Sequence, residues 1–166
     1  MGDFYYELAV KVAEVCLAAK ARNGGIMSLT EVQTILAKRK TKLGMERSSR
    51  TQEVATSDLQ IAVNKLSQLG GGFRTVQVGK SVMVICVPTE LDNDHMQVMT
   101  AASAYKETGL TIEQVMYTTK WSKERVQRAM DLLLQEGMAW LDVYQGQESY
   151  YFPSIWQEDR NGDAPF

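Results

Sequence analysis

Few residues of this 166-residue chain have the type and spacing that catalysis requires. Its single histidine, His95, sits beside Asp92 and Asp94 at a helix start, where it reads as a surface or capping residue and not as a general base. Cys16 and Cys86 lie 70 positions apart with no CxxC spacing. One histidine cannot complete a zinc set with them, so neither a metal site nor a disulfide framework follows, and a reducing compartment fits best. Gly70-Gly71-Gly72 precedes no helix that could present its amides to a phosphate. There is no GxSxG and no pair of carboxylates that spacing singles out. The sequence therefore predicts a protein without a cofactor that is not an enzyme.

Two other groups have the composition of binding surfaces. Residues 1–88 carry 12 Lys/Arg against 7 Asp/Glu, a net of +5, whereas residues 89–166 carry 6 against 13, a net of −7. The segment from Lys38 to Arg50 holds six basic residues and one acid, and so accounts for the whole positive excess. Lys38, Arg39, Lys40 and Lys42 fit contact with an acidic surface, or alternatively a solvated loop whose charge keeps it soluble. The run has no aromatic on which a single-stranded base could stack. At the other end, Trp140, Tyr144, Tyr150, Tyr151, Phe152 and Trp156 fall within 17 positions. Some must serve the local core, but a small sheet cannot bury them all, and an exposed aromatic patch marks a protein interface. Trp121 either borders that patch or packs as a staple.

The elements that position these groups follow from periodicity. Phe4, Leu8, Val12, Val15 and Ala19 recur at helical steps from Asp3 to Arg22, and Asn23-Gly24-Gly25 ends that helix. Ser28 and Glu31 form a capping box for a short second helix ending near Lys38, with Leu29, Val32 and Leu36 inward. A third helix opens at Thr56-Ser57-Asp58 with the stripe Leu59, Ala62, Val63, Leu66 and Leu69. Two β-rich runs follow, Phe73 to Val78 and Ser81 to Val87, around Gly79-Lys80. The order then repeats: a helix from Asp92 to about Tyr105, a capping box at Thr111 and Gln114, a helix capped by Ser122, and strands at 138–144 and 150–154 around Gln145-Gly146-Gln147-Glu148. A shift of 83 aligns the second helices and a shift of 67 the third, which leaves a 16-residue insertion coincident with the basic segment.

Three helices and a hairpin, twice, define an α+β, mainly α, chain of two tandem winged helices. The expected domains are 1–88, with the basic insertion at about 38–56, then 89–157, and a polar tail at 158–166. In Ser81 to Val87, Val82, Val84 and Cys86 face one way and Met83, Ile85 and Val87 the other, so both faces need covering and the two units should pack together. Winged helices often read DNA with the third helix, which demands a cationic surface. Here the first such helix exposes Asp58, Gln60, Asn64 and Ser67 with Lys65 its one cation, and in the second Glu124 and Asp131 offset Lys123, Arg125 and Arg128. Nucleic acid is not the expected partner, although a DNA-binding or transcription-associated protein is the alternative reading. No apolar run approaches the roughly 18–20 residues of a membrane span. The start lacks the order of a secretion signal, and Tyr6 departs from the myristoylation pattern.

Gly2-Asp3-Phe4-Tyr5-Tyr6-Glu7-Leu8, Glu14-Val15-Cys16, Arg22-Asn23-Gly24-Gly25, Gly72-Phe73, Val87-Pro88-Thr89-Glu90-Leu91, Asp94-His95, the run from Glu136 to Asp142 and Tyr151-Phe152-Pro153 resemble the ESCRT-II subunits of the SNF-eight (ELL-associated protein) type, from residue 2 to about 156. The resemblance implies a cytoplasmic assembly protein recruited to the endosomal membrane. It would join a sister winged-helix subunit and two copies of a smaller one, link indirectly to ESCRT-III, and sort ubiquitinated membrane cargo into multivesicular bodies. It also implies a helical region upstream of the Phe-Tyr-Tyr block, so the sequence reads as a fragment. In that family the small subunit docks on the second winged helix through a segment containing proline and aromatic residues. The residues expected to receive it are Trp140, Asp142, Tyr150, Phe152 and Trp156, with Trp121 at the edge.

Overall fold

The first helix begins at Gly2 and does not stop until two glycines force it to. In the computed structural model, which describes residues 2–42, 54–70, 72–87 and 91–155, α1 spans Gly2–Asn23. Leu8, Val12, Val15, Cys16 and Ala19 are buried along one side of it. Gly24 and Gly25 then take φ of 73° and 93°, a region that costs other residues about 1–2 kcal/mol. The Asn23 side chain accepts from the Gly25 N–H at 2.9 Å and closes the turn. Pro88, Arg47, Arg50, Trp156 and the 158–166 tail lie outside the described residues, so the expected domain boundary and tail stay with the sequence reading.

The remaining order is β1 (Ile26–Ser28), α2 (Leu29–Lys42), α3 (Thr56–Gln68), β2 (Phe73–Val78), β3 (Ser81–Cys86), α4 (Asn93–Ala102), a 3-10 turn (Ser103–Tyr105), α5 (Ile112–Thr119), α6 (Lys123–Gln135), β4 (Trp140–Tyr144) and β5 (Gln147–Tyr151). The internal repeat holds to the residue. Helices α2 and α5 begin 83 positions apart, at Leu29 and Ile112, and α3 and α6 begin 67 apart, at Thr56 and Lys123. Ser28 accepts from the Glu31 N–H, Thr111 and Gln114 form the expected capping box, and Ser122 accepts from the Arg125 N–H.

Several local expectations need correction. Helix α2 runs to Lys42 instead of ending near Lys38, so Lys38, Arg39, Lys40 and Lys42 form the end of a helix and not a loop. Ala, Lys and Arg are good helix formers, and cations favour a helix C-terminus; Arg39 also reaches Glu14 on α1 at 3.9 Å. Strand β1 was not legible between the glycines and the Ser28 cap, yet it pairs antiparallel with β3 and makes a three-stranded sheet in the order β1-β3-β2. Phe4 and Leu69, both expected inside, are exposed at the ends of their helices.

The sheet is a wall between two cores. Met27, Val84 and Cys86 pack with α1, α2 and α3. Ile26, Val78, Met83, Ile85 and Val87 pack on the other side with Val98, Val115, Leu133 and their neighbours from α4, α5 and α6. The strict alternation along β3 thus serves two layers, and each fully buried side chain contributes about 1.5–3 kcal/mol. The backbones also meet: a Cβ built on Gly24 would lie 2.4 Å from the Gly137 carbonyl carbon, so the stop after α1 abuts the stop after α6.

Candidate docking surface

The second hairpin is short, and no layer covers its outside among the described residues. Its turn is the two-residue pair Gln145-Gly146, with φ of 50° and 78°, the positive pair a type I′ connection requires. The four-residue turn expected from the sequence would have started β5 three residues later; the tighter one starts it at Gln147. The register then pairs Trp140 with Tyr151, Leu141 with Tyr150, Asp142 with Ser149, Val143 with Glu148 and Tyr144 with Gln147. On the inner side β5 bridges to Leu110, whose N–H and C=O exchange bonds of 2.9 and 2.8 Å with Tyr150. Among the described residues nothing pairs with the outer edge of β4.

Every residue of β4 is exposed, Trp140 at 55%, Val143 at 58% and Tyr144 at 70% among them. Asp142 lies at its centre, so both expected β4 residues are on the surface. Tyr150 and Phe152 are not. They are 2% and 4% exposed and belong to the core of the second unit, which removes them from the docking surface. Tyr150 occupies the inner strand and turns its ring toward α6, where its hydroxyl lies 3.5 Å from Gln127 Nε2; burial pushes its pKa up. Phe152 leaves the strand into residues 153–155, a helical turn folded onto the same core, with Ile155 also buried. Trp156 lies outside the described residues. Leu141, Val143 and Tyr144 join the surface instead, and their signal was a strand apolar on both faces.

Trp121 is half-buried beside this unit, with the Arg125 guanidinium 4.1 Å over its ring. Arg125 also makes a two-pronged contact with Asp94, at 2.9 and 2.7 Å. That guanidinium holds the Asp94 carboxyl below its usual range. Arg125, in the first turn of α6, is therefore tied up in an intramolecular ion pair, which competes with any phosphate contact. His95 is buried and caps α4: its Nδ1 accepts from the Asp92 N–H at 3.0 Å, while Asp92 accepts from the amides of Asp94 and His95. Burial pushes the Cys16 thiol up to about 12, so it stays protonated and unreactive at neutral pH. Among the described residues no three His, Cys, Asp or Glu side chains converge on a metal position, and no helix is long and apolar enough to cross a membrane.

Two winged helices packed on one shared sheet place the chain in the tandem winged-helix class. The chain belongs to the EAP30/Vps36 family, whose pattern matches residues 1–143. It is 40% identical over 159 residues to the vacuolar-sorting protein SNF8 of Danio rerio, covering 95% of this chain and 58% of that protein. It is 38% identical to human SNF8 over the same shares, and 37% identical to the vacuolar protein sorting-associated protein 22 homolog 1 of Arabidopsis thaliana, covering 93% and 59%. The chain thus spans somewhat over half the length of these relatives. Its fold matches a chain of the endosomal complex ESCRT-II (VPS22/VPS25/VPS36) with a TM-score of 0.67 at 27% identity, over 92% of this chain and 65% of that one. A second ESCRT-II endosomal trafficking complex gives a TM-score of 0.69 at 28% identity, over 93% and 66%.

Proposed function

We propose that this chain is a non-catalytic assembly subunit of an ESCRT-II complex that acts in multivesicular-body sorting, cytoplasmic and brought to the endosomal membrane through its partners. Its domains are taken as 1–88 and 89–157, meeting at the β1-β3-β2 wall. The partners are a sister winged-helix subunit and a smaller winged-helix subunit, with ESCRT-III reached through the smaller one. One observation carries the reading: β3, apolar on both faces, is covered within the chain, while β4, apolar but for Asp142, is exposed along its whole length. An uncovered strand of this composition is a docking site for another protein. Trp140, Asp142 and Tyr144 are its outward contacts, with Trp121 at the edge, and Lys38, Arg39, Lys40 and Lys42 are left for an acidic surface.

Titration of the small subunit against Trp140→Ala tests this. A loss of about 2 kcal/mol in binding, the size of an interface hot spot, with an unchanged melting temperature is the expected result. Native affinity for Trp140→Ala and for Tyr144→Ala alike would sink the assignment.

A further inference from the structure

The two faces of β4 look onto different surroundings. Residues directly opposite in an antiparallel pair share a face, so Leu141 and Val143 lie with Tyr150 and Glu148, and Trp140, Asp142 and Tyr144 lie on the other side. The Tyr150 hydroxyl, 3.5 Å from Gln127 Nε2, turns the first of these faces toward α6. Leu141 and Val143 are exposed on it. Carboxylates border this corner. Glu148 stands on β5, Glu113 in the first turn of α5, and Asp131 on α6 one turn beyond Gln127, whose amide donates to it at 2.8 Å. All three are exposed, and among the described residues none is paired with a cation. They act on one group: burial raises the Tyr150 pKa against the Gln127 bond, and Glu148, Asp131 and Glu113 add to the rise. The cations of this unit are engaged elsewhere. Arg125 grips Asp94, Arg128 acts on the same carboxyl, and Lys120 lies over the Tyr117 ring. Lys106 lines a hollow beside Tyr105 and Tyr151, and Lys123 opens α6 about 12 Å along the helix axis from Asp131.

A winged helix that reads DNA needs cations beside its third helix, and here carboxylates stand in that place. They do not converge on one point: among the described residues no three His, Cys, Asp or Glu side chains can hold a metal ion, so an occupant must bring its own spaced cations. From this layout we infer that the corner between the wing and α6 is a docking surface for a basic segment of a further protein, with lysines or arginines toward Glu113, Asp131 and Glu148 and an aliphatic side chain on Leu141 and Val143. The sign of the surface repels nucleic acid, and its apolar floor rewards a peptide side chain that a free cation lacks. It lies across the strand from Trp140, Asp142 and Tyr144, so it goes beyond the small-subunit reading and does not depend on it.

The experiment titrates the isotope-labelled chain with a synthetic peptide that alternates lysine and valine, with the glutamate and valine counterpart as control, and follows the amide chemical shifts. The expected result is saturable shifts concentrated at Asp131, Leu141, Val143 and Glu148, which weaken as salt rises. A chain carrying Glu113→Gln, Asp131→Asn and Glu148→Gln should bind the lysine peptide at least tenfold more weakly. Its melting temperature should stay native, because all three side chains are exposed. Trp140→Ala should bind the peptide as the native chain does. Unchanged peptide affinity of the triple variant overturns the inference, as do shifts spread equally over Glu107 and Glu136, which would assign the binding to the net charge of the unit. A triple variant that loses the small subunit also overturns it, and makes that subunit the occupant of both faces of β4. Native small-subunit affinity of Trp140→Ala and Tyr144→Ala would sink the wing assignment alone and leave this surface standing.

Discussion

The two hairpins are copies of one design put to different uses. Strands β2 and β4 start 67 positions apart, as do the helices before them, and both hairpins turn in two residues. Yet the first wing is a wall: β1 extends it, α1, α2 and α3 close one face and α4, α5 and α6 the other. The second wing has a bridge at Leu110 in place of a third strand, and the outer edge of β4 pairs with no strand among the described residues. The difference lies in what packs on each, because the second unit buries the outer face of the first wing. The apolar side chains of β4, unlike those of β3, stay exposed among the described residues, and the proposed docking rests on that difference.

The sharpest way to break this comparison is to cut into the two sides of the second wing. Phe152→Ala removes a buried ring from the core beneath it and should cost about 3–5 kcal/mol, so that the second unit loses its fold and every binding activity together. Val143→Ala, on the outer strand, should leave stability within about 0.5 kcal/mol. Chemical denaturation of the two variants checks both. A Phe152→Ala protein with native stability would mean that the inner face of the wing is not a core at all.

The next contrast is between glycines. Gly24 and Gly146 both have positive φ, 73° and 78°. A methyl on Gly24 would strike the Gly137 and Met138 backbone, whereas on Gly146 it would meet nothing within 4 Å. Gly146→Ala should therefore cost only the conformational penalty of about 1–2 kcal/mol. Gly24→Ala should cost clearly more, because it also pries the two units apart. Equal melting temperatures for the two variants would show that the contact between units yields freely.

What was legible in the sequence is where local rules and tertiary packing agree. The caps at Ser28, Thr111 and Ser122 fixed helix starts, and the alternation along β3 announced two layers because each face had a run of three apolar residues. Strand β1 is hidden because its three residues, Ile26–Ser28, carry no periodicity, and its reason to exist is β3, almost sixty positions away. The docking residues were only half legible. Gln145-Gly146 does not advertise a type I′ turn as Asn-Gly does, so the strand was set too late and the faces of Tyr150 and Phe152 stayed open. Tyr150, bridged to Leu110, goes inside, while its partner Leu141 on the outer strand stays exposed.

The mildest test concerns the joint between α4 and α6, which holds the second unit's helices beneath the exposed wing as the sheet holds the first unit's. Asp94→Asn removes the carboxylate that Arg125 grips, at a site that is partly exposed, so the loss of stability should be the smallest of the series. Its pH dependence identifies it. Arg125 depresses the folded-state pKa of Asp94, so the carboxylate contributes fully above the unfolded carboxyl value of about 4, and the contribution fades as pH falls through the lower folded value. The native protein and Asp94→Asn should therefore differ in melting temperature at neutral pH and converge under acid. A difference that persists undiminished well below the folded value would assign the effect to the backbone near the α4 cap, and would leave the Arg125 and Trp121 stack to hold the helices by packing alone.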